Sequence, residues 1–232
     1  ILIHLATEQM GKKASEAVTG ENLDVLLCGK PLTGEEKEPV KAMLLKILKE
    51  KYDLEEEDML SAEIEVVPAD KCRDFGLDRS MLLGYGHDDR VCSFASLEAI
   101  LRLPTVPDST CCCLLADKEE IGSVGATGMR AHYFENAMAE LLALTQPEYS
   151  ELALRRALAA CRMLSCDVSA GYDPLYASCF EKKNAAYLGR GVCYNKYTGS
   201  RGKSGSNDAN AEFLGRLRKI MDDNQVAWQT AE

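Results

Sequence analysis

The sequence is poor in histidine and in aromatic residues: it has three histidines, and phenylalanine, tryptophan and tyrosine make up 6% of its 232 residues. Its ten cysteines include no pair at C-x-x-C spacing, so they fit neither a zinc ribbon nor a small disulfide scaffold. Three of them form a triplet, at 111–113, inside an apolar segment. We therefore expect reduced, mostly buried thiols in a cytoplasmic protein.

Long apolar runs and an excess of basic charge are also missing. No segment approaches the ~20 apolar residues of a membrane span, and no signal peptide is visible. The net charge of −10 argues against nucleic acid as a partner, because phosphate binding needs a basic face. The chain starts at Ile1 in an apolar segment and ends at Glu232 just after a strand-like segment, which predicts a fragment of a longer polypeptide.

Helical periodicity recurs along the chain, whose 46% hydrophobic content suffices for one large domain or one and a half. A helix is predicted around residues 40–48, starting either at the capping box of Thr33 and Glu36 or with Pro39 in its first turn. Further helices are predicted around Phe94, Leu97 and Leu101, which we expect to face inward, and over residues 134–144, 150–162 and 207–221.

Short β-prone segments separate these helices. Residues 61–67 alternate apolar and polar side chains, which predicts a half-exposed strand. Four more strands are predicted at 81–83, 111–116, 163–166 and 189–197. From residue 81 onward strands and helices alternate, which predicts an α/β fold with a mostly parallel sheet flanked by helices.

Acidic residues follow three of the predicted strands at their carboxyl ends. Asp88 comes after the first, the pair Glu119 and Glu120 after the second, and Asp167 after the third. In open α/β sheets this edge is where ligands bind. Gathered carboxylates repel one another unless a cation neutralises them. An all-oxygen set suits magnesium or calcium, whereas zinc normally takes some nitrogen.

Glu119 and Glu120 can face one site only if the backbone bends, because neighbouring side chains on a strand point to opposite faces. Gly122 makes such a bend easy. One carboxylate could then be held ionised by a metal while the other moves protons. A solvated turn is the alternative. His87 is either a ligand or a surface residue, and His132 is assigned to packing or the surface.

A basic glycine-rich segment at Gly202, Lys203 and Ser204 raises the possibility of nucleotide binding. The phosphate-binding loop requires glycine five residues before the Gly-Lys pair, and Tyr197 occupies that position. A solvated basic loop is the better account of this segment.

Three segments resemble, in order, the signatures of one family: HDDRVCSFASLEA at 87–99, DKEEIGS at 117–123 and SCD at 165–167. The family is that of the aspartyl aminopeptidases and aminopeptidase I, which are dinuclear zinc exopeptidases. The resemblance extends to Leu5 and Ala6 near the start and to GSRGK at 199–203. It implies a zinc-exopeptidase-like core that removes the N-terminal residue of peptides.

The resemblance also implies a role for each acidic residue. Asp88 would bridge two zinc ions, Glu120 would bind one of them, and Asp167 the other. Glu119 would be the general base toward the attacking water. Two Zn²⁺ per subunit are implied, with Co²⁺ or Mn²⁺ as possible replacements.

The same resemblance predicts the organisation of the chain. Residues 1–80 would be part of an inserted oligomerisation and substrate domain, and residues 81–232 the central part of the catalytic domain. His4 would reach the substrate site of a neighbouring subunit in a homo-oligomer. The family's remaining metal-binding histidines do not lie in this chain. We therefore expect an active intact protein and a nearly inactive fragment. A non-catalytic interaction module with the peptidase fold is the alternative.

Overall fold

The computed structural model describes residues 2–196 and 209–231. The basic segment at Gly202–Ser204 and the predicted start of the last helix at residue 207 lie outside these ranges. The chain divides into two compact units, Ile1–Pro68 and Ala69–Glu232. The assignment of residues 1–80 and 81–232 to two domains of different function stays a prediction.

The first unit is dominated by one long helix. Helix α1 is a single turn at Thr7–Met10, and helix α2 spans Pro39–Tyr52. Proline suits the first turn of a helix because the amide hydrogen it lacks would have no partner there. Of the two predicted starts, the one at Pro39 is therefore confirmed. Short 3₁₀ turns complete the unit at Ile3–Leu5, Ala14–Glu16, Gly20–Asn22 and Glu56–Leu60.

The predicted strand at 61–67 is wrong, because this segment is irregular. A strand needs a neighbour that pairs with its amide and carbonyl groups. In the described residues the paired strands all belong to the second unit. The alternation of side chains indicates which face of such a segment would be exposed to solvent. It does not indicate whether another strand is available to pair with the segment.

The helices of the second unit agree closely with the predicted ones. Their bounds are His87–Leu101 for α3, Tyr133–Thr145 for α4, Glu151–Ala160 for α5 and Ala211–Asp223 for α6. Side-chain caps explain two of the starts: Ser150 Oγ accepts the Ala153 amide at 3.1 Å, and Asn210 Oδ1 accepts the Phe213 amide at 2.8 Å. Helices α4 and α5 pack against each other. In the ranges 2–196 and 209–231 no helix is long and apolar enough to cross a membrane.

The strands form two separate pairs. Strands β1 (Arg73–Phe75) and β2 (Met81–Leu83) are antiparallel. Strands β3 (Val192–Asn195) and β4 (Trp228–Ala231) are parallel, with Cys193 opposite Gln229. The fold is therefore α/β with small sheets. The expected dominance of a parallel sheet is not confirmed by these pairs.

Two further strand predictions are wrong for the same physical reason as the first. The segments 111–116 and 163–166 are not paired strands within the described residues. An isolated parallel bridge between Asp117 and Gly128 follows the first of them. Both segments nevertheless lead into acidic residues, as the sequence indicates.

Few side chains are fully buried. In the described part of the chain the buried apolar residues are Ala6, Leu154, Ala186 and Ala231. The expectation that the apolar stripe of α3 faces inward is wrong, since Phe94 is 64% exposed. All ten cysteines are free, as expected, but none is fully buried. Helical periodicity places apolar side chains on one stripe without saying what packs on that stripe.

A loop between residues 171 and 191 is fastened to β4 by one side chain. Gln229 Oε1 accepts the Tyr187 amide at 2.9 Å, and Gln229 Nε2 donates to the carbonyls of Tyr187 at 3.0 Å and Gly191 at 3.3 Å. The ring of Tyr172 packs against those of Phe180 and Tyr187, at centroid distances of 5.6 and 5.3 Å. This loop begins four residues after Asp167 in the sequence.

Candidate metal centre

The first acidic residues of the site lie at the start of α3. Asp88 and Asp89 belong to this helix by position, but their backbone angles are not helical, with ψ of 111° and 21°. Gly86, at φ 67°, lets the chain turn out of β2 just before them. The regular helix therefore starts after the pair, and both carboxylates lie at its amino-terminal end.

Asp167 joins this pair from a distant part of the sequence. One carboxylate oxygen from each of Asp88, Asp89 and Asp167 lies within 4.8 Å of the other two, and all three residues are exposed. The Val168 amide donates to Asp167 Oδ1 at 2.7 Å, which orients that carboxylate. We call these three residues the acid cluster.

The two glutamates lie on a tight turn. Glu119–Ile121 is a 3₁₀ turn between Lys118, at φ 63°, and Gly122, at φ 96°. The Ser123 amide donates to the Lys118 carbonyl at 2.7 Å, which closes the turn. A left-handed backbone favours glycine, so the predicted use of Gly122 as the bend is confirmed.

Electrostatic coupling connects the turn to the acid cluster. Partial removal from water raises the pKa of the Asp88 carboxyl above its usual range, and the negative charges of Asp167, Asp89 and Glu119 raise it further. A hydrogen bond with Asp167 acts in the same direction. Glu119 is therefore close enough to act on the charge of Asp88. Mutual repulsion is the expected state of such a group without a cation.

A thiol borders the acid cluster on α3. Burial raises the pKa of Cys92 to about 12, and a hydrogen bond to Asp89 together with its charge contributes to that rise. Cys92 is thus a neutral thiol that donates to Asp89 at neutral pH.

The structure brings together most, but not all, of the predicted site residues. Asp88 and Asp167 meet, and the charge of Glu119 acts on Asp88. Glu120 lies on the same turn as Glu119 and outside the acid cluster. His4 lies in the first unit, in the turn Ile3–Leu5, so its predicted contact with another subunit's substrate stays a prediction.

Asp89 is the member of the cluster that sequence reasoning missed. Only Asp88 of this pair was given a role from the sequence, because the family resemblance assigns only that position. The available signal was the Asp-Asp doublet, which follows the turn at Gly84–Gly86 after a single histidine.

The donor set suits a divalent cation. Carboxylate oxygens are accepted as ligands by zinc, magnesium and calcium. Three of them lie within reach of one ion, and their repulsion would be relieved by its charge. Zinc usually takes nitrogen as well, and His87, directly before Asp88, is the histidine nearest in sequence. The acid cluster therefore fits zinc as part of a larger ligand set.

An apolar cavity of about 360 Å³ adjoins the segment that leads into the glutamate turn. It is lined by residues 114–116 and 126–129, and by Ala131, Tyr133 and Phe134. The Asp117 amide donates to the Thr127 carbonyl at 3.2 Å, and Thr127 Oγ1 donates to Asp117 Oδ2 at 3.3 Å. These bonds hold the two walls together, and the lining contains no charged residue.

Several known proteins match this chain over its whole length. The family model described as aminopeptidase I zinc metalloprotease (M18) matches residues 1–232. A probable M18 family aminopeptidase 1 from Clostridium acetobutylicum is 55% identical over 233 residues, which cover 100% of this chain and 50% of the relative. The corresponding protein from Thermotoga maritima is 44% identical over 231 residues, which cover 100% of this chain and 50% of that relative.

Solved structures that match this chain are also aminopeptidases. The crystal structure of aminopeptidase I from Clostridium acetobutylicum matches with a TM-score of 0.83 at 54% identity, over 100% of this chain and 50% of that one. An M18 family aminopeptidase structure from Thermotoga maritima matches with a TM-score of 0.83 at 41% identity, with the same coverage. The chain thus spans about half the length of the curated relatives it matches. It belongs to the aminopeptidase I (M18) family of zinc metalloproteases.

Proposed function

We propose that this chain carries the acidic half of the active site of a zinc aminopeptidase, which hydrolyses the N-terminal residue from peptides. The observation that supports this most directly is the convergence of Asp88, Asp89 and Asp167 within 4.8 Å, with the charge of Glu119 acting on Asp88. Residues that are 79 positions apart in sequence, 88 and 167, meet only if the fold brings them together. Membership of a zinc metalloprotease family favours hydrolysis over other uses of such a cluster.

In this proposal the acidic residues have separate roles. Asp88 would lie between two zinc ions, with Asp167 as a ligand of one and Glu120 as a ligand of the other. Zinc ions, when bound, polarise the scissile carbonyl and lower the pKa of the attacking water. Glu119 takes the proton from that water and passes it to the leaving amine. Glu119 lies on a turn bounded by Lys118 and Gly122, and its charge acts on Asp88.

The turn is suited to this division of labour. Glu119 and Glu120 are adjacent, yet in a tight turn successive side chains need not follow the alternation of a strand. A ligand and a base can then face the same substrate while one of them stays free of metal. The neutral Cys92 thiol, which donates to Asp89, adds no charge to the site.

Replacing Glu119 by glutamine in the intact protein tests the proposal. The amide keeps the size of the side chain but cannot accept the proton, so hydrolysis of an aminoacyl-nitroanilide should fall by about 10²–10⁴-fold. Zinc content, measured on the same sample by atomic absorption, should stay unchanged because Glu119 is not assigned as a ligand.

Glu120→Gln is the matched control, since it changes the neighbouring residue in the same way. It should lower zinc content as well as activity. If Glu119→Gln left activity unchanged, the general-base role would be wrong and the non-catalytic interaction module would be favoured. If both variants lost zinc equally, the separation of base and ligand would be wrong.

The remaining parts of the proposal rest on family membership. They are a peptide substrate, a homo-oligomer in which His4 reaches a neighbouring subunit, a cytoplasmic location, and a first unit that belongs to an inserted domain. Exposed apolar side chains in the first unit, such as Leu26 at 91%, support a contact that covers this surface.

A further inference from the structure

Three polar side chains beside Asp167 form a closed ring of hydrogen bonds. Asn195 Nδ2 donates to Ser169 Oγ at 2.9 Å, and Cys193 Sγ donates to Asn195 Oδ1 at 3.4 Å. The third bond joins Ser169 to Cys193. Burial raises the pKa of the Cys193 thiol against the opposing effect of the Ser169 hydrogen bond, so the thiol stays protonated and able to donate.

Strand β3 explains why two members of the ring can reach the third. Cys193 and Asn195 are two positions apart on this strand, and side chains at that spacing lie on the same face. Parallel pairing with β4, in the register Cys193 to Gln229 and Asn195 to Ala231, fixes the strand. The ring is therefore attached to an element with its own backbone ladder.

Ser169 connects the ring to the acid cluster, because it lies two residues after Asp167 in the sequence. Two residues of chain span at most about 7 Å, so fixing Ser169 confines Asp167 to a small region. The carboxylate of Asp167 is oriented in turn by the Val168 amide at 2.7 Å. Asp167 lies in an irregular segment, so no helix or strand of its own fixes its backbone.

We propose that Ser169 and Asn195 are positioning residues that hold Asp167 in the geometry needed for metal binding. This inference rests on the proposed function, since it assigns Asp167 a metal. None of the three ring residues is assigned as a metal ligand. Its effect is to reduce the number of arrangements open to Asp167, and thus the entropy that Asp167 loses when it becomes a ligand.

Zinc titration of the intact, metal-stripped protein in competition with a chromogenic chelator tests this. Ser169→Ala and Asn195→Ala should each weaken zinc binding by about 10-fold, at the lower end of what changes in the surroundings of a ligand typically cost. Ser169→Thr keeps the hydroxyl and should restore the wild-type affinity. The thermal midpoint of the zinc-free protein is recorded for every variant.

Ser150→Ala is the matched control. It removes a serine hydrogen bond of similar length, to the Ala153 amide at 3.1 Å, in the cap of α5. It should lower the thermal midpoint while leaving zinc affinity unchanged. In a background of Asp167→Asn, Ser169→Ala should have no further effect on zinc binding, because the ring acts through Asp167.

Two results would overturn the inference. Unchanged zinc affinity in Ser169→Ala and Asn195→Ala, with or without a lower thermal midpoint, would show that the ring is merely structural. An equal additional loss in the Asp167→Asn background would show that the ring does not act through Asp167. Failure of the wild-type protein to bind zinc would instead refute the proposed function, and the inference with it.

Discussion

The acid cluster and the β3–β4 pair satisfy their polar groups in opposite ways. In the cluster, one carboxylate oxygen from each of three aspartates lies within 4.8 Å of the other two. Partial removal from water raises the pKa of Asp88, and the charges of Asp167 and Asp89 raise it further. In the β3–β4 pair, by contrast, the Gln229 amide makes three hydrogen bonds, and the backbone ladder runs over four residue pairs. The first region gathers like charges. In the second the Gln229 amide and the backbone are hydrogen-bonded, although the buried Tyr194 hydroxyl on β3 has no hydrogen-bond partner.

The comparison indicates that the β3–β4 pair stabilises the fold, whereas the acid cluster destabilises the metal-free protein. Binding sites commonly break the rules that stabilise the rest of a fold, and neighbouring structure compensates. Here the compensation lies next to the site in sequence, because the segment from Asp167 leads through Ser169 into the loop that Gln229 holds. Removing a member of the cluster and removing a member of the paired region should therefore have opposite effects on the metal-free protein.

The largest effect is expected for Asp88→Asn. It removes the central carboxylate, so zinc affinity in the intact protein should fall by more than the 10- to 100-fold typical of changes around a ligand. The metal-free protein should become more stable at neutral pH, because a negative charge that its neighbours repel is gone. Zinc titration and thermal unfolding in a chelator measure the two quantities.

The same variant has a defined pH dependence. Because the pKa of Asp88 is raised in the folded state, ionisation of this carboxyl favours unfolding. The destabilisation is absent below the usual aspartate range and complete above the raised folded-state pKa. The stability gain of Asp88→Asn should therefore appear as pH rises through that window and vanish at lower pH. A gain independent of pH would contradict the repulsion.

A smaller effect, of opposite sign, is expected for Gln229→Ala. This change leaves the Tyr187 amide and two carbonyls without their partner, which should lower the free energy of unfolding by about 1–3 kcal/mol. Chemical denaturation of the metal-free intact protein measures it. Gln146→Ala, at an exposed position after α4, is the control and should change little. Equal effects of the two variants would contradict the special role of Gln229.

The smallest effect is expected in the first unit, for Lys49→Met. Lys49 Nζ lies 2.6 Å from Asp53 Oδ1 and 3.0 Å from Glu55 Oε1, but the lysine side chain is 51% exposed. Exposed ion pairs contribute little because water and salt screen them. The thermal midpoint should not change measurably, even at low salt. A clear decrease would show that charge pairs stabilise this unit more than their exposure indicates.

Local signals made the helices predictable from sequence. Pro39 marks the start of α2, and Ser150 caps α5 at the predicted position. Both depend on residues within one turn of the helix end. The strands at 81–83 and within 189–197 were also predicted, because they are apolar and bounded by glycine or charged residues.

The pairing partners of the strands could not be predicted in the same way. Segments 111–116 and 163–166 have the composition of strands, but pairing depends on residues far away in sequence. The composition of the acid cluster was likewise only partly predictable from the sequence. The positions of Asp88 and Asp167 after apolar segments indicated a shared site, whereas Asp89 entered it through backbone angles that the sequence does not reveal.

Trp228, the single tryptophan of this chain, lies at the junction of β4 and α6. Its indole nitrogen donates to Asp222 Oδ1 at 2.8 Å, the Arg218 guanidinium lies 4.7 Å from the ring, and the Tyr194 ring is 6.1 Å away. The contacts with Asp222 and Arg218 join Trp228 to α6, whereas the contact with Tyr194 lies within the β3–β4 pair. The emission of this indole is therefore a built-in optical reporter of the docking of α6 against the parallel strands, and no fluorescent label has to be attached to follow it.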